Sequence, residues 1–107
     1  MAKSKRAKAV DISQKVKQLV WERDGGRCII CGSRQAMPNA HYKSRAHGGL
    51  GIPENVVTLC TMGGCHHKYD FGTREEREEI GGQIREYLMN CYPDWDEEKL
   101  IYNKYDF

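Results

Sequence analysis

Two cysteine pairs, Cys28-Ile-Ile-Cys31 and Cys60-Thr-Met-Gly-Gly-Cys65, stand about thirty residues apart in a chain of 107 residues. Two residues between thiols let the backbone turn a knuckle around one ion, so each pair offers half of a tetrahedral thiolate site. Gly32 after the first pair and Gly63-Gly64 within the second supply the backbone freedom that such knuckles need. The spacing therefore predicts a structural Zn²⁺ held by Cys28, Cys31, Cys60 and Cys65. The second pair is wider than usual, which leaves His66 or His67 as alternatives to Cys65.

A structural metal also answers a size problem. A chain this short, with 39% hydrophobic residues, buries a core of modest extent in one domain. Small domains commonly add disulfides or a metal. The fifth cysteine makes the count odd, and Cys91 is expected to be a packed free thiol. No apolar run approaches the roughly 18 residues of a membrane span, and the first residues, Met1-Ala-Lys-Ser-Lys-Arg, lack the apolar stretch of a secretory signal. The expected location is cytoplasmic, where cysteines bind metals more often than they form disulfides.

The net charge of +2 is small, but its placement is uneven. Cations crowd the first quarter, Lys3 to Arg27, whereas Glu75, Glu76, Glu78, Glu79 and Glu86 open an acidic last third. A basic arm suits phosphate binding at one end, or it simply solubilises the chain.

The coarse organisation is a flexible basic arm over 1–9 and one domain over 10–107, with a core of about 20–72 and a helical extension over 73–107. Ile12, Val16, Leu19 and Val20 recur at helical spacing, so a helix is expected over about 13–24, with Ser13 as cap. Strands are expected at Asn39 to Lys43 and at Val56 to Cys60, the latter rich in β-branched residues. The intervening loop, 44–55, is long enough to be functional. Ile80, Ile84, Tyr87 and Leu88 mark a second amphipathic helix, weakened by Gly81-Gly82. A turn at Pro93 and a short helix capped by Asp94 or Asp96 follow, with Trp95 and Leu100 packing back.

Chemistry enters between and after the cysteine pairs. The run Asn39-Ala-His41-Tyr-Lys-Ser-Arg-Ala-His47-Gly-Gly leads to Pro53-Glu-Asn55 and Leu59-Cys60, then to Cys65-His66-His67-Lys68-Tyr-Asp70. In order and spacing these residues resemble the HNH family of His-Me finger, or ββα-metal, nucleases, especially the small proteins encoded by phages and prophages. The resemblance runs from about Val20 to Asp70 and implies an α+β fold: a small ββα-metal core stapled by the four-cysteine zinc site, with flanking N- and C-terminal helices. It implies a metal-dependent DNA endonuclease of low sequence specificity, acting in a bacterial host cell and associated with phage packaging proteins.

Carried onto this chain, the resemblance makes His41 the general base. An imidazole with an ordinary pKa near 6.5 can take a proton from water at neutral pH. It makes Asn55 the residue that braces the loop or helps to ligate the ion, and His66 a ligand of a catalytic Mg²⁺ or Mn²⁺. Asp70 shares a helical face with His66 and can complete the site, with His67 as a second ligand candidate. Lys43, Arg45 and Lys68 are expected near DNA phosphates. The family often has Asp or His immediately before the base, where this chain has Ala40, so an inactive zinc module that binds nucleic acid is the rival reading. A redox role for Cys28-x-x-Cys31 leaves His41, Asn55 and His66 unexplained.

Overall fold

The computed structural model describes residues 4–61 and 64–103. The fold is α+β: a two-stranded antiparallel sheet with helices packed around it. Among the described residues no helix is long and apolar enough to cross a membrane.

The first helix, α1 (Lys5–Val10), occupies the segment expected to be a flexible arm. Six residues do not make a stable helix alone; tertiary contacts hold this one. Ser4 accepts from the Ala7 N–H, the Arg6 guanidinium donates to the Ala46 carbonyl at 3.2 Å, and Val10 is 4% exposed. Residues 1–3 of the expected arm lie outside the described residues. Helix α2 (Gln14–Arg23) matches the expected segment, and Ser13 caps it by accepting from Val16 N.

Strands β1 (Ala36–His41) and β2 (Val56–Cys60) pair with a register shift between Met37 and Ala40. The strand starts earlier than expected because Pro38, which lacks an N–H, falls at that irregularity and needs no ladder bond there. It ends earlier because Asn55 takes over its bonding: Tyr42 N donates to the Asn55 carbonyl and Lys43 N to Asn55 Oδ1.

Helix α3 (Cys65–Phe71) follows, then α4 (Arg74–Cys91), which starts with a capping box of Thr73 and Glu76. Ile80, Ile84 and Leu88 face a core of Ala40, Val57 and Leu59, as the periodicity predicts. Gly81-Gly82 does not break α4. Gly81 serves close packing instead, since a Cβ there would stand 3.2 Å from the Tyr69 ring.

The tail ends in a 3₁₀ turn, Glu97–Leu100, capped by Asp96 rather than Asp94. Trp95 Nε1 donates to the Glu54 carbonyl, Leu100 is buried, and Ile101 bridges to Gly49. The long loop is thus clamped from both termini: Leu50 N donates to the Leu100 carbonyl and Gly51 N to Ala9. Gly49 and Gly51 pass so close to the backbones of Lys43 and Asp11 that neither position has room for a Cβ.

An ion pair missed by sequence reasoning ties α2 to this frame. Asp24, whose side chain is fully buried, accepts from Arg23, from the Tyr87 hydroxyl and from Thr58 N. Arg23 donates in turn to the carbonyls of Pro53 and Val56 and to the Tyr92 hydroxyl. Burial opposes its charge, but Asp24 and the Tyr92 hydroxyl outweigh it and hold the guanidinium pKa above its ordinary value.

Candidate functional site

The four cysteines converge. Their Sγ atoms all lie within 4.8 Å of one another, a grouping that can hold a metal ion, and Cys65 belongs to it. Hairpin and sheet make the convergence: Ile29 N donates to the Thr58 carbonyl, which fastens the first knuckle to β2. Backbone N–H groups then point at sulfur, from Ile30 and Cys31 to Cys28 Sγ and from Cys65 to Cys60 Sγ at 3.0 Å.

Burial opposes ionisation of Cys28, yet the N–H groups of Cys31 and Ile30 bring its thiol down to about 7. Ser33 N–H favours the Cys31 thiolate, but burial and the neighbouring Cys60 and Cys28 outweigh it and push Cys31 up. Burial, Cys60 and Cys28 push Cys65 up as well. One thiolate forms readily and its like-charged neighbours resist, a pattern that a divalent cation at the centre relieves. Cys91 lies outside the group, half-buried.

A separate, solvent-open cleft of about 1000 Å³ lies between the loop after β1 and the helices α3 and α4. His41, His66 and Asp70 share it. The His41 Nε2 is 2.8 Å from the Val10 carbonyl oxygen, which can only accept; Nε2 therefore carries the proton and Nδ1 keeps its lone pair. Burial lowers the His41 pKa, the Val10 carbonyl raises it in part, and Arg45 lowers it further, so the net shift is downward. His66 Nε2 sits 3.2 Å from Asp70 Oδ2 across one helical turn.

The other expected site residues divide. Asn55 is buried outside the cleft, where its amide accepts from Lys43 N and donates to the carbonyls of Lys43 and Leu50. These three bonds brace the loop against the end of β1. His67 lies outside the cleft against Phe71, with ring centroids 5.4 Å apart, and Lys68 is exposed away from it. Lys43 and Arg45 line the cleft, but each has a carboxylate partner, Glu97 and Asp11. Ala40 is fully buried in the core. The chain gives no match to any family model, curated protein or solved structure.

Three cleft residues escaped the sequence reading. Arg74 and Arg77 reach the cleft from the acidic last third, and Asn39 lines it with an Oδ1 that is buried without a hydrogen-bond partner. The spacing of the two arginines on α4 carried no separate signal, because which edge of α4 meets the cleft depends on how α3 packs on it. Among the described residues the cysteines are the only group of three or more His, Cys, Asp or Glu close enough to surround an ion.

Proposed function

We propose that this chain is a metal-dependent endonuclease of the HNH type that hydrolyses phosphodiester bonds in DNA, with Zn²⁺ on the four cysteines as a structural staple. The observation that carries the reading is His41. Its Nε2–H is committed to a backbone carbonyl, its Nδ1 has a lone pair, and it shares a cationic cleft with a His66–Asp70 pair. The order β1, β2, α3 suits a ββα-metal core, and the four-thiol cluster suits zinc.

In this reading His41 Nδ1 takes a proton from the attacking water while Val10 holds the ring in place. The new P–O bond forms as one ester P–O bond breaks, and the departing alkoxide takes up a proton. His66 and Asp70 would hold a Mg²⁺ or Mn²⁺ ion, which supplies charge stabilisation for the phosphoryl and leaving oxygens. Two protein ligands are compatible with Mg²⁺, which usually keeps several waters and substrate oxygens. Asn55 positions the loop and touches neither water nor phosphate.

Ala40, turned into the core, favours a second reading in which the domain binds nucleic acid without cutting it. Cleavage of supercoiled plasmid by zinc-loaded wild type and His41→Ala, with no added metal or with Mg²⁺, Mn²⁺ or Ni²⁺, separates the two. Metal-dependent nicking that disappears in the variant supports the nuclease. A wild-type protein inert with every metal overturns it in favour of the binding module.

A further inference from the structure

Helix α4 carries more glutamates than arginines, yet it does not turn an acidic edge to the cleft. Arg74 and Arg77, three positions apart and therefore neighbours on one edge, both line it. Glu75 and Glu79 do not; Glu78 does, and its carboxylate is engaged by Arg74 Nε at 2.9 Å. One turn on, Gly81 lets α4 close on the Tyr69 ring of α3, the helix that carries His66 and Asp70. This close contact sets the arginine edge beside the proposed reacting centre.

The cations of the cleft are not equivalent. Lys43 is paired with Glu97, Arg45 with Asp11 and Arg74 with Glu78. Among the described residues Arg77 is the one arginine or lysine of the cleft whose side chain forms no ion pair or hydrogen bond. An arginine fork presented to solvent without a carboxylate matches the two oxygens of a phosphate.

We infer that Arg77 binds a backbone phosphate of a nucleic acid lying in the cleft, with Arg74 beside it. The inference rests on the reading that the cleft receives nucleic acid, but not on cutting. Arg77 is a substrate-positioning residue, and its contact is independent of base sequence.

Binding of a fluorescently labelled random-sequence DNA duplex by the zinc-loaded protein, followed by anisotropy without added Mg²⁺ or Mn²⁺ across a series of NaCl concentrations, tests it. Each phosphate contact contributes about 0.9 to the slope of log affinity against log salt. Arg77→Gln should weaken binding at low salt and reduce the slope by about 1, while Arg77→Lys restores the slope. Arg34→Gln, exposed and outside both the cleft and the basic first quarter, should leave the slope unchanged and controls for net charge. Zinc content and thermal melting should match wild type in all three. The inference is overturned by an Arg77→Gln slope equal to wild type, by an equal loss in Arg34→Gln, or by a wild type that does not bind the duplex. Binding with the expected slope change in a protein that never cuts would retain the inference and remove the nuclease.

Discussion

The imidazole of His41 is oriented by Val10: Nε2 and the carbonyl oxygen are 2.8 Å apart although the residues lie 31 positions apart in the chain. The contact ties α1 to the strand that carries His41. It also explains why the helix is ordered, since Arg6 and Ala9 bind the same loop that follows the His41 strand.

Burial lowers the His41 pKa, so the neutral imidazole persists below its ordinary value near 6.5. The acid limb of kcat/KM against pH should therefore lie below about 6.5, with the rate falling as pH drops through it. The unfolded chain binds the extra proton first, so the folding contribution of neutral His41 is complete above about 6.5 and lost as pH falls through the folded value. The urea-midpoint advantage of wild type over His41→Gln should be greatest above about pH 7 and shrink toward pH 5. A limb at or above the ordinary histidine value would exclude His41 as the base.

Cys28→Ser or Cys60→Ser should unfold the domain. Structural zinc contributes about 10 kcal/mol in small zinc domains, comparable with the whole net stability of a domain, about 5–15 kcal/mol. Circular dichroism and zinc analysis should show the loss together, and a strong chelator should reproduce it in wild type. Cys91→Ser should keep its metal and its melting temperature. One bound zinc with an undiminished melting temperature in Cys60→Ser would exclude the four-thiol site.

Asp24→Ala should destabilise the domain by about 3–5 kcal/mol, because it leaves the partly buried Arg23 charge without its carboxylate. Tyr87 and Thr58 lose an acceptor in the same substitution. Chemical denaturation measures the effect; a change below about 1 kcal/mol would mean that water replaces the carboxylate without penalty.

Asn55→Ala should lower stability by about 1–3 kcal/mol through the stranded backbone groups of Lys43 and Leu50. Asn55→Asp should be worse, since a carboxylate would face two carbonyl oxygens. If Asn55 braces the loop rather than binding the ion, the metal concentration for half-maximal cutting should stay near wild type in whatever Asn55→Ala remains folded. A large rise in that concentration would make Asn55 a ligand.

Helix α2 with its Ser13 cap, strand β2 and the apolar face of α4 were legible from local periodicity, because period and capping act within a few residues. The thiol spacing likewise foretold the cluster, including Cys65 despite its wider gap. Reading α1 as a flexible arm failed because its charge pattern is uninformative about Arg6 reaching the carbonyl of Ala46. Strand β1 was misplaced at both ends because a bulge at Pro38 and the side chain of Asn55, neither visible as alternation, set its limits.

In the sequence alone lay the metal-binding chemistry of the thiols, the amphipathic helices and the residues from which a hydrolytic site can be built. Tertiary structure alone decided that His66 faces the cleft and His67 does not, that Ala40 points into the core, that Asp24 is buried against Tyr87, and that an acidic helix turns Arg77 toward the cleft. The physical reason is range. Ligand spacing and periodicity are properties of neighbouring residues, whereas burial and ion pairing depend on which distant segments remove water from a side chain.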